Sequence, residues 1–374
     1  NKKIDSLINK LNKKYGKEII KQGLSIIKKW LPTGIVNLDW ALGGGFFQGG
    51  FIELYGPPSS GKSTLALKAI ALAQKEGKVC AYIDVEDAYD DNWAKINGVN
   101  TDELLLMNKE QIQELVKDKG ENGINAEFIL QLMINLIDTK GIDILVLDSI
   151  ACLTPKDELN KEMEDEAKIA GVAKLMNRAL RVMNSKNQRS STIIFINQIR
   201  DNVGTYGGGS TTPGGKAVKF YAFQRVNVKR GKNVSKKNEI IGYNAKVTIE
   251  KNKVAIPYRT VEFVMYNDST IDRFETYWNL AKNLENFGEG ISLTGRTYSY
   301  NEEVIAKSQD EFRNWLRENN EIFEKLEKSL IYSSKIDIKE EEIEIDIKDE
   351  NEIVKEIKEQ VENDEEKVEI EENE

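Results

Sequence analysis

The sequence predicts an α/β protein with a phosphate-loop core. A mostly parallel central sheet is flanked by helices, with a small helical segment before it and a small C-terminal α/β module and an acidic, disordered tail after it. Three observations carry this. From Phe51 the short apolar runs FIELYG, KVCAYIDVE, GIDILVLDS and STIIFINQ alternate with segments of helical periodicity at 62–76, 124–138 and 168–185, the rhythm of βαβ units with right-handed crossovers. The stretch GPPSSGKS, residues 56–63, joins the first strand to the first helix. The net charge of −9 is unevenly spread: residues 335–374 hold 19 Asp or Glu against 6 Lys, leaving the rest of the chain slightly basic.

In chain order, residues 1–32 form a basic segment. Nine lysines stand against Asp5 and Glu18 in residues 1–30, and Ile4, Leu7, Ile8 and Leu11 recur at helical spacing. This predicts a short amphipathic helix whose apolar stripe packs on its own domain or on another subunit. The core is expected over 33–270, with GGGFFQGG at 43–50 as a hairpin or loop. After Lys219 the runs FYAFQRVNVKR, NAKVTIEKNKV and RTVEFVMYN read as strands that extend the sheet with antiparallel members. Residues 271–331 read as a C-terminal module, a turn followed by helices. Residues 332–374 are predicted to be disordered, because a run this acidic, nearly free of aromatics, cannot bury enough apolar surface to fold. A basic body with an anionic tail suits either a polyanion-binding surface for which the tail competes or a tail that only keeps the chain in solution; composition does not choose.

The composition excludes several chemistries. There is no histidine, which removes Ser-His-Asp catalysis, histidine metal ligands and histidine bases. Cys80 and Cys152 both lie in apolar, strand-like runs and read as buried reduced thiols. No apolar run is long enough to cross a bilayer and the N-terminus lacks an export pattern, so no membrane partner and a cytoplasmic location are expected.

Gly56 to Ser63 fits G-x-x-x-x-G-K-[ST] between a strand and a helix that Gly77 can close. Bare backbone lets successive amides point inward around phosphate, the helix N-terminus adds positive potential, Lys62 reaches the outer phosphates and Ser63 offers a hydroxyl to Mg²⁺. The loop Gly56, Pro57, Pro58, Ser59, Ser60, Gly61, Lys62, Ser63 and Thr64 is therefore the candidate nucleoside-triphosphate site. A metal-orienting carboxylate is expected with it, and Asp148 closes the buried strand ILVLD. Ser149 assists it or caps the next helix. Asp84, Glu86 and Asp87 end the neighbouring strand, and one of them can polarise the attacking water; spacing does not choose among them.

These motifs, with ILVLDSIACLTPKDEL, FINQIR, TTPGGKAVKFYA and KNKVAIPY in the same order, resemble the bacterial RecA recombinase family from about residue 1 to 331. The resemblance implies a RecA-type core and ATP-dependent filament formation on single-stranded DNA. Pairing with homologous duplex DNA and strand exchange in recombinational repair would follow, with ATP and Mg²⁺ as cofactors. It implies that Glu86 is the catalytic carboxylate, that Trp93 stacks on adenine with Asp90 near the base, and that Gln198 senses the γ-phosphate. Lys251 and Lys253 would reach the γ-phosphate of a neighbouring subunit. DNA would be contacted by loops near 156–169 and 199–215, with Val203 as a wedge between base triplets. Arg200, Gly214 and Gly215 lie in the second loop. Ile169 belongs to the first, whose acidic character disfavours DNA unless backbone, Lys168 or Ile169 makes the contact. Lys174, Arg178 and Arg181 form a basic stripe on one helix face, of which Lys174 and Arg181 are assigned to phosphates; Lys229, Arg230 and Lys246 are candidates for a second DNA site. The sequence departs from the family at Pro58, Asp87 and Trp93, and the second loop is one residue short. Two other readings share these motifs: a nucleotide-gated single-strand coat that performs no exchange, and a ring-forming motor on the same core.

Overall fold

The computed structural model describes residues 2–15, 28–118, 123–159, 171–201 and 210–333, all within one unit, Asn1–Lys335. Eight strands make the central sheet: β1 (Phe51–Gly56), β2 (Cys80–Asp84), β3 (Leu104–Met107), β4 (Ile144–Asp148), β5 (Thr192–Gln198), β6 (Gln224–Lys236), β7 (Glu239–Asn252) and β8 (Thr260–Tyr266). Their order is β8-β7-β6-β1-β5-β4-β2-β3. The six strands from β6 to β3 run parallel, and β7 and β8 are antiparallel additions.

Strand alternation divides the core into two layers, because successive side chains point to opposite faces. Ile52, Leu54, Cys80, Tyr82, Ile144, Val146, Ile194 and Ile196 meet the helix Lys62–Lys75 through Leu65, Ala66, Ala69 and Ile70. The intervening Phe51, Ala81, Ile83, Leu145, Leu147, Ile193 and Phe195 meet the helices Ala126–Asp138 and Gly171–Asn187 on the other face. Both faces are covered, which is why these strands read as continuous apolar runs. The same parity places Asp84, Asp148 and Gln198, at the C-terminal ends of β2, β4 and β5, on the side of the helix Lys62–Lys75.

Several local expectations are corrected. FYA does not begin a strand: Gly214, in the left-handed region, precedes the helix Gly215–Tyr221, and β6 starts at Gln224, parallel to β1. The edge strand β3 and the helices Asp91–Ile96 and Lys109–Asp118 stand outside the expected elements; they are partly buried, with Leu105, Leu115 and Ile96 exposed. The module after residue 271 holds the helix Arg273–Asn283 and a three-stranded antiparallel sheet, Ile291–Thr294, Thr297–Tyr300 and Glu303–Ala306. The helices Gln309–Glu318 and Asn320–Tyr332 follow. Its core of Phe274, Tyr277, Phe312, Phe323 and Leu326 also takes in Val36 of the helix Val36–Leu42. Cys80 is buried, but Cys152 lies in a one-turn 3-10 helix and is exposed; both are free thiols. In GGGFFQGG, Phe46–Phe47 pairs with Trp30–Leu31. The N-terminal helix spans Lys2–Tyr15, with Ile4 and Leu7 exposed. No described helix is long and apolar enough to cross a membrane.

Candidate nucleotide site

The site is built at the C-terminal ends of the parallel strands, where an open α/β sheet leaves a crevice. Gly56 ends β1 beside Gln198 of β5. A Cβ at Gly56 would lie 2.0 Å from the Val228 carbonyl oxygen, so only glycine fits there. Gly61 has φ +97°, and no side chain caps the helix Lys62–Lys75 that follows, whose N-terminus therefore faces the loop with its own amides. The Ser60 hydroxyl is fully buried and has no hydrogen-bond partner among the described residues. The Lys62 ammonium donates to the carbonyls of Pro57 (2.7 Å) and Gly56 (3.3 Å). Burial lowers its pKa, against the opposing pull of Asp148 and Glu86.

Ser63 Oγ donates to Asp148 Oδ2 at 2.7 Å, and the Tyr82 hydroxyl donates to the same oxygen at 2.6 Å. Burial raises the Asp148 carboxyl above the usual carboxylate range, while the Tyr82 and Ser63 donors act to lower it. Among the described residues no three carboxylates or thiols gather into a metal cage. Mg²⁺ needs none, since it takes one or two protein oxygens beside phosphate and water, and the hard oxygen pair Ser63–Asp148 fits that demand.

The three acids at the end of β2 separate into distinct environments. Asp84 is buried and accepts four backbone N–H groups, from Glu86 (3.1 Å) and Asp87 (2.9 Å) at Oδ1 and from Ala88 (3.0 Å) and Tyr89 (2.8 Å) at Oδ2. It fastens the loop. Glu86 is held out by that loop, where its Oε1 accepts from Gln198 Nε2 at 2.9 Å. Asp87, at φ +63°, turns away toward Lys109, 3.9 Å distant. Asp90 caps the next helix by accepting from Trp93 N (2.6 Å), and Trp93 Nε1 reaches Thr64 Oγ1 at 3.4 Å. The loop, Ser63 with Asp148, Glu86 with Gln198, and Trp93 are thus brought to one end of the sheet. Ser149 stands at the N-cap of the 3-10 helix Ile150–Cys152 without a side-chain cap; its Oγ lies 3.7 Å from the Cys152 sulfur.

Lys251 and Lys253 are not brought to that place. They sit toward the opposite, N-terminal end of β1, where Lys251 pairs with Arg225 and Arg225 with Glu53, and both ammonium groups donate to the Phe220 carbonyl, at 3.0 and 3.1 Å. Burial, then the neighbouring Lys253, lowers Lys251 to about 8. Lys174, Arg178 and Arg181 lie exposed on the helix Gly171–Asn187. The Arg200–Asp201 backbone pairs with Ser210–Thr211. Gly215 packs so tightly that a Cβ there would lie 2.8 Å from that of Ala173. Ile169, Lys168 and Val203 lie outside the described residues, as does most of the first loop.

The structure adds groups that spacing alone did not single out. On the other face of the sheet, Glu53 is fully buried; its Oε2 binds Arg225 Nε at 2.5 Å and its Oε1 accepts from Asn197 Nδ2 at 3.0 Å. Asn197 also donates to the Pro213 carbonyl at 3.0 Å. Adjacent residues of β5 therefore serve opposite faces, Gln198 toward Glu86 and Asn197 toward the end of the 199–215 segment. A buried Glu inside FIELYG was the one available signal, since such a charge demands a partner.

Comparison with known proteins matches residues 2–272 to the RecA N-terminal domain family. The chain is 38% identical over 330 residues to Protein RecA of Bacillus thuringiensis (strain Al Hakam), covering 86% of this chain and 90% of that protein. It is 37% identical over 333 residues to Protein RecA of Mycoplasma mobile, covering 87% and 94%. Among solved structures it is similar to the RadB recombinase, at 21% identity and a TM-score of 0.45, over 64% of this chain and 97% of that one.

Proposed function

The chain belongs to the RecA family, and from that premise we propose that it is a DNA-dependent ATPase recombinase. In this reading it polymerises on single-stranded DNA with ATP, then pairs with homologous duplex and exchanges strands. Membership of the family carries ATP hydrolysis and a RecA-like role in recombination and repair; the steps on DNA are our reading.

The observation that carries it is the convergence of Lys62, Ser63, Asp148, Glu86 and Gln198 at one end of the sheet, with Lys251 and Lys253 at the other. The backbone N–H groups from Ser59 to Thr64 and the Lys62 ammonium bind the phosphates. Ser63 and Asp148 hold Mg²⁺, which with ATP supplies the charge-neutralised phosphoanhydride when bound. Glu86 orients a water and takes its proton, and Gln198 links that carboxylate to the segment beginning at Ile199. Trp93 and Asp90 serve the base. A lysine pair that cannot reach its own phosphate loop can complete another copy's site, so nucleotide binding and polymerisation become one linked equilibrium. This favours an open polymer of identical contacts. Lys174, Arg181, Arg200, Gly214 and Gly215, with Ile169 and Val203, are the proposed DNA contacts.

The test is ATP hydrolysis with and without single-stranded DNA, followed by strand exchange on homologous duplex. Hydrolysis should rise severalfold with the single strand, and exchange should proceed with ATP. DNA binding and nuclease protection without exchange would favour the coat, and a rate indifferent to DNA would contradict the proposal.

A further inference from the structure

Tyr82 lies in β2, one strand away from Asp148 in β4, with Asp84 paired to Asp148 and Tyr82 to Val146. Parity turns Tyr82 and Asp148 to the same face, that of the helix Lys62–Lys75. The ring is 2% exposed and packed in the core on that side, with the Tyr89 ring 5.6 Å away. Its hydroxyl lands on Asp148 Oδ2 at 2.6 Å, the oxygen that also receives Ser63 Oγ at 2.7 Å. A buried phenol needs a partner, and a backbone carbonyl would satisfy it at no functional cost. Here the partner is instead the carboxylate proposed to hold the cation. Two donors on one oxygen fix the carboxylate plane and leave Oδ1 as the oxygen available to a cation. The two donors differ in kind, because Ser63 stands on the phosphate loop and can offer a lone pair elsewhere, whereas Tyr82 is locked in the core.

We propose that Tyr82 is a positioning residue for the cation site: its hydroxyl anchors the Asp148 carboxylate and so sets the affinity for the divalent ion that accompanies the nucleotide. The inference rests on the proposed role of Ser63 and Asp148 and names a residue outside that set. Partners of this kind, which orient a ligand without touching the ion, are worth about 10- to 100-fold in metal affinity.

The experiment is Tyr82→Phe in the full chain, which keeps the ring and deletes only the donor. Mn²⁺ binding is titrated by electron paramagnetic resonance in the presence of a slowly hydrolysed ATP analogue, and analogue binding is measured separately with divalent ions chelated. Half-saturation by Mn²⁺ should move up about 10-fold, while cation-free analogue binding and the unfolding midpoint of the nucleotide-free protein stay near those of the parent. Fluorotyrosine at position 82, which retains the donor, should bind Mn²⁺ like the parent and serves as the rescue. Unchanged Mn²⁺ affinity in Tyr82→Phe would overturn the inference, as would an equal loss with and without the cation, which would mark a packing defect. Failure of the parent itself to bind analogue or Mn²⁺ would instead defeat the nucleotide-site reading.

Discussion

Glu86→Gln is expected to lower ATP turnover by about 10²- to 10⁴-fold, the usual worth of a positioned general base, while nucleotide and single-strand binding persist. The substitution is nearly isosteric, and its amide oxygen can still accept from Gln198 Nε2, so the contact at 2.9 Å survives. The loop that carries the residue is fastened by Asp84 through four backbone amides and stays in place. What disappears is the carboxylate proposed to take the proton. Single-turnover hydrolysis beside equilibrium binding separates the two effects, and turnover within a few fold of the parent would remove Glu86 from the mechanism.

Arg225→Met should cost about 3–5 kcal/mol of folding stability, because it leaves Glu53 as a buried charge without its counter-ion. Glu53 has no exposed surface, and after the substitution its described hydrogen bond is the one from Asn197. The guanidinium also lies over the Tyr55 ring, 4.5 Å from its centroid, and 3.6 Å from Glu250, so its loss removes packing as well as charge. Pairing the change with Glu53→Gln should recover a good part of the loss, since the two sites are directly coupled. Urea unfolding of both single variants and the double variant checks this. A loss under about 1 kcal/mol for Arg225→Met would mean that the pair is effectively solvated.

The phosphate loop was legible because its requirement is set by backbone geometry: glycine where Val228 crowds Gly56, lysine and serine at fixed distance after it. The parallel core was legible for a related reason. Strands covered on both faces become unbroken apolar runs, and Asp148 at the end of one is too costly to lack a purpose. Elements whose burial is partial stayed hidden. β3 buries Leu104 and exposes Leu105, and the three strands of the C-terminal module are four residues each, too short to establish a period, with Tyr, Ser and Thr making up much of the first two. The start of β6 was misplaced because Phe220 and Tyr221 favour strands locally, whereas Gly214 at positive φ starts a helix there.

Within the site, spacing left Asp84, Glu86 and Asp87 equivalent. The backbone amides that converge on Asp84 separate them, and such convergence belongs to the folded loop. The pairs Glu53–Arg225 and Tyr82–Asp148 join residues 172 and 66 positions apart. A single sequence can pose the demand of a buried charge, but the fold supplies the partner.

The proposed active site is shared between copies of the chain, and mixing two inactive variants tests this most directly. Glu86→Gln keeps Lys251 and Lys253, while the double variant Lys251→Ala, Lys253→Ala keeps Glu86 and the phosphate loop, so each alone should hydrolyse ATP poorly on single-stranded DNA. In a mixture, seams where a lysine-bearing subunit meets an intact phosphate loop should restore hydrolysis, most strongly near equal amounts. A mixture no more active than the sum of its parts would contradict the shared site.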